Sequence, residues 1–353
     1  MLSVQEASKN LITEIIVVDN NSTDESCAMI HSKFPKVNLI TNKKNIGFSK
    51  ANNLGVEVAK GEFILILNPD TVLAEDTIDK TVLFAERKSN YGAIGVKFID
   101  GTGNFLPECK RNIPTLKIAG QKIRGNSKNY YANHIGENEI AKAEILSGAF
   151  MLMNREVYVK VGGFDEDYFM FGEDVDLSYK LLNNGFQNYY FGENSILHYK
   201  GESTVKDISY LQNFYSAMHI FYRKHFKINI LYKLVARAFV WSMIHLRFLI
   251  GNKGNKKKKP IGNLLFVSDN NVIYQSVKNK LQVKKVSMND QLPEYANDFD
   301  MVIYDNSFIS YKDIINNMHH MKLSDMAKRI IPKGTSFFIG SDSSVSEGEV
   351  VEF

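Results

Sequence analysis

Cysteine is almost missing from this sequence. Cys27 and Cys109 are the only two among 353 residues, and no CxxC spacing occurs. A disulfide framework is thereby excluded, and the chain fits a reducing, cytoplasmic compartment. An excess of one charge is missing too: 43 Lys and Arg stand against 39 Asp and Glu, a net charge of +4. Such a balance is not that of a dedicated nucleic-acid binder, so no nucleic-acid partner is expected. Residues 1–10 are too polar for a signal peptide, and no internal repeat is found. Long clean apolar runs are also absent. Residues 228–250 come nearest, but Lys233, Arg237, His245 and Arg247 interrupt them. On an insertion scale their twelve Leu, Ile, Val and Phe residues gain about 4–7 kcal/mol, against about 7–10 for the three central bases. Spanning is disfavoured. An interfacial helix, with Lys253 and the four lysines 256–259 beside it on an anionic membrane surface, fits better. The plain alternative is a helix packed on the preceding domain.

What is present is an ordinary globular composition, 44% hydrophobic and 23% charged, long enough for a sizeable core and two domains. Between residues 14 and 200, β-branched runs alternate with helical stretches. Strands are predicted at residues 15–18, 37–41, 63–67, 91–98 and 144–153, and helices at 24–34, 48–59 and 75–88. That alternation implies a mostly parallel sheet covered on both faces. A long irregular stretch with Gly101, Gly103, Pro107, Pro114, Gly120 and Gly125 reads as a lid or binding loop. Beyond Pro260, strands at 264–267, 283–286, 301–304 and 336–339 suggest a small Rossmann-like α/β domain. Its first turn, Ser268-Asp269-Asn270-Asn271, has no GxGxxG, so no ordinary dinucleotide site is expected there. The expected divisions are 1–205, a helical basic linker at 206–260, and 261–353.

Ligands of open parallel sheets bind beyond the carboxyl ends of the strands. Three polar clusters lie there. In the first, Ser22 and Glu25 form a capping box for the next helix. Capping leaves Asp19 unexplained, and its carboxylate could accept bonds from a base or ribose. The second is Asn68-Pro69-Asp70-Thr71. Such a tripeptide is commonly just a turn, yet Asp70 offers one hard oxygen ligand, enough for Mg²⁺ together with substrate phosphates. The third, Gly172-Glu173-Asp174-Val175-Asp176, opens a helix. Acids there meet the helix dipole, and a carboxylate held at a helix start is also a way to present a general base.

Five blocks in order, VVDNNSTD (17–24), NIGFSKANNLG (45–55), LNPDT (67–71), LSGAFMLMNRE (146–156) and GGFDEDYFMFGEDVDLSYKLLNNGF (162–186), resemble family 2 glycosyltransferases, above all the rhamnosyltransferase-like branch. The resemblance covers roughly residues 11–205. It implies a GT-A fold for that region and a metal, Mg²⁺ or Mn²⁺, at Asp70, with Asn68 in place of the first carboxylate of the DxD motif. It implies that Asp19 and Asn21 meet the nucleoside and that Asn45, Gly47 and Asn52 line the nucleotide pocket. Ser147 and Gly148 would adjoin the transferred sugar and acceptor, and Asp174, of the Glu173-Asp174 pair, would be the catalytic base. His198 matches a position that can reach the metal or diphosphate, its plain alternative being a structural histidine. Arg111 is either a contact to donor or acceptor phosphate or a solvated loop residue.

The implied activity is inverting transfer of a sugar from dTDP-rhamnose or a UDP-sugar to a glycan or polyprenyl-linked acceptor in surface polysaccharide synthesis. The implied location is cytoplasmic, peripheral on the inner membrane face. Family members open with a strand ending in an Asn-Tyr-Asn-like segment, whereas this chain opens at Met1-Leu2-Ser3-Val4, in the place of the following helix. The resemblance therefore implies an absent first strand, through a downstream recorded start or a truncated gene. A non-catalytic nucleotide-sugar-binding or partner-binding relic is the competing expectation.

Overall fold

Short β-branched runs become strands and the amphipathic stretches between them become helices. The computed structural model describes residues 1–199, 208–226, 261–281, 283, 285–293, 298–324, 326–342 and 348–353. The apolar segment 228–250 and the lysines at 253–259 lie outside these residues. Among the described residues, no helix is long and apolar enough to cross a membrane.

The chain runs α1 (Leu2–Ala7), β1 (Ile16–Asp19), α2 (Ser26–Lys33), β2 (Asn38–Thr41), α3 (Phe48–Val58), β3 (Phe63–Leu67), β4 (Thr71–Leu73), α4 (Thr77–Glu86) and β5 (Tyr91–Ile99). The irregular stretch holds a 3-10 turn (Pro107–Cys109), β6 (Lys110–Arg111), α5 (Leu116–Ile123) and β7 (Ile140–Lys142). Then come β8 (Ile145–Leu146), β9 (Phe150–Asn154), α6 (Arg155–Lys160), α7 (Glu173–Asn183), β10 (Gln187–His198) and α8 (Ile208–His225). The C-terminal unit comprises β11 (Asn263–Val267), α9 (Asn271–Leu281), β12 (Lys285–Asn289), β13 (Met301–Asp305), α10 (Tyr311–His320), β14 (Ala327–Ile331), β15 (Phe337–Gly340) and β16 (Glu349–Glu352).

The fold is α/β, but the first large sheet is mixed rather than mostly parallel. Its order is β3-β9-β5-β10-β4, with β7 added to β10. Of these pairings only β5 with β10 is parallel. The reason lies in the connections. A parallel return needs a crossover of about a dozen residues or more. Only the turn at Asn68, Pro69 and Asp70 separates β3 from β4, and β9 follows β8 after three residues. β9 meets β5 only at Ala93 and Ile94, early in that strand, while β4 meets β10 only at Ile196, Leu197 and His198, at its end. The sheet therefore bends, and the three-residue turn carries the chain from one edge strand to the other. β1 and β2 pair in parallel as a two-stranded sheet of their own. The capping box expected at Ser22 does not form: α2 starts after Glu25 with no side-chain cap, and the Ser22 N–H is taken by Asp19.

The C-terminal sheet has the order β12-β11-β13-β14-β15-β16, parallel through its first four strands and antiparallel thereafter. One buried cluster unites Val72, Ile99 and Leu197 of the first sheet with Leu265 and Tyr304 of the second and Ile314 of α10. The larger core fills the first unit, where Ile64, Ile66, Ile94, Val96, Phe98, Phe150 and Leu177 meet.

Candidate active site

The turn that crosses the bent sheet carries the first site residues. Its geometry is set by the Thr71 hydroxyl, which donates to the Asn68 carbonyl at 2.8 Å, and by the Asn68 N–H, which donates to the Ala149 carbonyl at 3.1 Å. Antiparallel pairing of Thr71 with His198 brings the imidazole beside the carboxylate, with Nε2 3.3 Å from Asp70 Oδ1. Both side chains are buried. Apart from that approach of Nε2 to Asp70 Oδ1, neither this oxygen nor Asn68 Oδ1 nor His198 Nδ1 has a hydrogen-bond partner. Buried polar atoms in that condition are uncommon and need an explanation. The Asp70 carboxylate beside the His198 imidazole, with the Asn68 amide two residues earlier in the same turn, supplies donor types that fit a divalent cation whose remaining ligands are phosphate oxygens and water. Among the described residues no three His, Cys, Asp or Glu side chains cluster closely enough to hold a metal on their own.

The second centre forms where the predicted strand 144–153 breaks. Ser147, Gly148 and Ala149 separate β8 from β9, and the Gly148 N–H donates to Asp174 Oδ2 at 3.1 Å. A side chain at Gly148 would stand 3.3 Å from Asp174 Cβ and 3.8 Å from the Phe48 ring, so the approach is close and a larger residue would require Asp174 to give by a few tenths of an ångström. Asp174 Oδ1 accepts from the Val175 N–H at 2.7 Å. Arg111 completes the set: its Nη2 donates to Asp174 Oδ2 at 2.6 Å and to the Leu146 carbonyl at 2.8 Å. Arg111 is thus neither solvated nor free for a phosphate at that nitrogen. Burial disfavours its charge, but the Asp174 carboxylate and the Tyr130 hydroxyl together outweigh burial and raise the guanidinium pKa. Glu173, next door, is 8% exposed, and its Oε2 lacks a partner. Burial first, and then the Asp174 charge, push its carboxyl up to about 8.

The residues assigned to the nucleotide side gather at the start of α3. The Asn20 side chain donates to the Gly47 carbonyl at 3.1 Å, the Gly47 N–H donates to Asn45 Oδ1 at 2.9 Å, and the Asn52 amide donates to the Phe48 carbonyl at 2.9 Å. Asn21 adopts a left-handed conformation, φ 70°. Asp19 has a local duty that capping does not account for: its carboxylate accepts from the Asn21 and Ser22 N–H groups, each at 3.1 Å. Burial raises its pKa, but the hydrogen bonds from Ser22, Cys27 and Asn21 prevail and lower it from the usual carboxylate value.

Direct contacts link the three groups. Asn20 reaches Gly47, the Phe48 N–H donates to the Phe169 carbonyl at 2.8 Å, Phe48 faces Gly148, Gly148 holds Asp174, and Ala149 holds Asn68 two residues before Asp70. Four residues were not singled out in the sequence. Tyr130, from the irregular stretch, is half-buried near Arg111 and Lys122, and their charges overcome desolvation to lower its pKa. Lys122 stands over the Tyr130 ring, 3.2 Å from its centre. Phe169, 46% exposed, lies in the loop before α7. His225 Nε2 lies 2.6 Å from Asp176 Oδ1 and ties α8 to α7. Aromatic residues in Tyr168-Phe169-Met170-Phe171 were a visible signal for Phe169; nothing local marks the other three. Cavities of about 510 and about 310 Å³ open elsewhere, the first lined by Asn112, Glu144, Tyr179 and Phe226 among others, and neither is lined by Asp70 or Asp174.

Residues 2–162 match the family described as Glycosyl transferase family 2. Over these residues the chain belongs to that family. The chain is also rhamnosyltransferase-like in sequence. It is 29% identical over 238 residues to the N-acetylglucosaminyl-diphospho-decaprenol L-rhamnosyltransferase of Mycobacterium tuberculosis, covering 61% of this chain and 77% of that one. It is 26% identical over 263 residues to the dTDP-rhamnosyl transferase RfbF of Shigella flexneri, covering 70% and 84%. Among solved structures, the mannosyltransferase PcManGT of Pyrobaculum calidifontis in complex with GDP-Man and Mn²⁺ is similar at 18% identity and a TM-score of 0.42, over 66% of this chain and 61% of that one.

Proposed function

We propose that this glycosyltransferase moves a sugar, with inversion, from a nucleotide-diphosphate donor to a hydroxyl of a lipid-linked or glycan acceptor in surface polysaccharide synthesis. One observation carries the reading. The Asp174 carboxylate is anchored by three hydrogen bonds at a helix start, and a chain of contacts joins it to the Asp70–His198 pair. Asp174 takes the proton of the acceptor hydroxyl as that oxygen attacks the anomeric carbon opposite the diphosphate. The electron pair of the broken C–O bond leaves on the diphosphate. Asp70 and His198, with Asn68 beside them, would hold Mg²⁺ or Mn²⁺, whose chemistry is to neutralise charge on the leaving group. Asp19, Asn21, Asn45, Gly47 and Asn52 would bound the nucleotide, and Ser147 and Gly148 the sugar. The names of the relatives favour dTDP-rhamnose as donor and a polyprenyl-diphosphate-linked amino sugar as acceptor.

The test is transfer from dTDP-rhamnose or a UDP-sugar to polyprenyl-diphosphate N-acetylglucosamine with Mn²⁺, read by mass spectrometry. Asp174→Asn is expected to lower the rate about 10³-fold, within the range for loss of a general base, while dTDP and Mn²⁺ still bind. Wild-type protein that binds nucleotide and never turns over would restore the binding-only reading.

A further inference from the structure

Asp174 is held more tightly than a helix-start carboxylate requires. Oδ2 accepts from both Arg111 Nη2 and the Gly148 N–H, while Oδ1 accepts only from the Val175 N–H. Each carboxylate oxygen carries two in-plane lone pairs. Oδ2 is therefore saturated, and Oδ1 keeps one pair. Arg111 is fixed in its turn. Its second Nη2 hydrogen is spent on the Leu146 carbonyl, and its backbone pairs with Ile145 in the β6–β8 ladder. The two side chains remain 11% and 14% exposed, so the pair borders solvent without being dissolved in it.

We propose that Arg111 is a positioning residue for sugar transfer, and that Asp174 Oδ1 is the atom that takes the acceptor proton. The inference rests on the reading of Asp174 as the base. Arg111 stays on Oδ2 throughout. It fixes the plane of the carboxylate and locks the turn at Ser147 and Gly148 to the start of α7, so the free lone pair of Oδ1 always points one way. The proton passes from the acceptor hydroxyl to Oδ1, the hydroxyl oxygen bonds the anomeric carbon, and the donor C–O pair leaves with the diphosphate. The guanidinium gives up no proton, since it remains charged at any working pH. A lysine ammonium lacks the planar fork and reproduces this restraint only in part.

Nucleoside-diphosphate release from dTDP-rhamnose with Mn²⁺ and acceptor is compared for wild type, Arg111→Met, Arg111→Lys and Asp174→Asn, with dTDP–Mn²⁺ binding measured by calorimetry. Arg111→Met is expected to lose about 100-fold in kcat, the scale of a misplaced reacting group. Donor KM and dTDP affinity should stay put, Arg111→Lys should be intermediate, and added guanidinium ion should restore turnover to Arg111→Met but not to Asp174→Asn. Unchanged kcat in both arginine variants overturns the proposal. So does dTDP affinity falling in step with kcat, which would make Arg111 a phosphate ligand. If Arg111→Met does not fold, Arg111→Lys is judged by the same kcat and affinity criteria. Wild-type turnover by Asp174→Asn would sink the base assignment itself, a separate failure.

Discussion

Glu173 and Asp174 are neighbours in sequence and opposites in environment. Asp174 has three donors; Glu173 has an unpartnered buried oxygen and a carboxyl raised from the ordinary 4.5 to about 8 by burial and by the Asp174 charge. Glu173 therefore keeps its proton near neutrality and leaves a single negative charge for Arg111 to meet. Because the folded-state pKa is the higher one, the folded protein binds the extra proton. The associated stability is complete below pH 4.5 and is lost as pH rises through about 8. Glutamine copies the protonated form. Thermal melts across that window should thus show the wild type losing stability with rising pH more steeply than Glu173→Gln; parallel curves would mean that Glu173 is ionised throughout. The motifs marked Asp70 and Asp174 as candidates in the sequence. The contact of Arg111 with Asp174 was not legible there, because its partner lies 63 positions away, and no local pattern encodes a contact of that range. Asp19 was legible as a residue that capping leaves over, but its bonds to the Asn21 and Ser22 N–H groups depend on the left-handed Asn21, which composition does not reveal.

At the scale of elements, α7 is held by a charge that looked like ordinary dipole decoration. Asp176 is completely buried; it meets His225 Nε2 at 2.6 Å, Lys180 Nζ at 3.4 Å and the Tyr168 hydroxyl at 3.3 Å. It thereby joins α7, α8 and the loop that presents Phe169. Asp176→Ala leaves these donors unmatched and should cost about 3 kcal/mol, the scale for breaking a buried pair. Urea unfolding would measure it, and a change within ordinary surface scatter would show that the network adds nothing. Patterning predicted β3 at its observed bounds and α3 to within one residue. It missed β10, the longest strand, because Gly192, Glu193 and Asn194 interrupt its apolar residues where the pairing slips between Phe191 and Ser195. It missed β14 for another reason. Lys328 and Arg329 break the hydrophobic run, yet both are buried, Arg329 because Glu349 and Asp342 neutralise it.

The whole molecule is less divided than its composition suggests. The shift in pattern after Pro260 marks a second sheet, but Ile99 and Leu197 share a buried cluster with Tyr304 and Ile314, and Tyr199 of that cluster directly follows His198. Polar contacts lock the same joint. The Glu75 carboxylate accepts from the Tyr311 and Lys312 N–H groups at 2.6 and 3.0 Å, at the positive end of α10. The Gly103 carbonyl lies 2.9 Å from His319 Nδ1. At Gly103, φ is +90° and an added Cβ would stand 1.9 Å from the Met318 carbonyl oxygen. No side chain there can move aside, because the obstacle is backbone. Gly103→Ala should therefore push α10 off the first sheet, at a cost of about 2 kcal/mol for overpacking. The strain falls on the joint, not inside either sheet, so calorimetry should show one cooperative transition separating into two. Because the end of β10 carries both the joint and His198, the stabilisation by Mn²⁺ and dTDP should weaken in the same variant. If the variant keeps a single transition and the full metal response, the second sheet is an appendage and the Asp70–His198 pair owes it nothing.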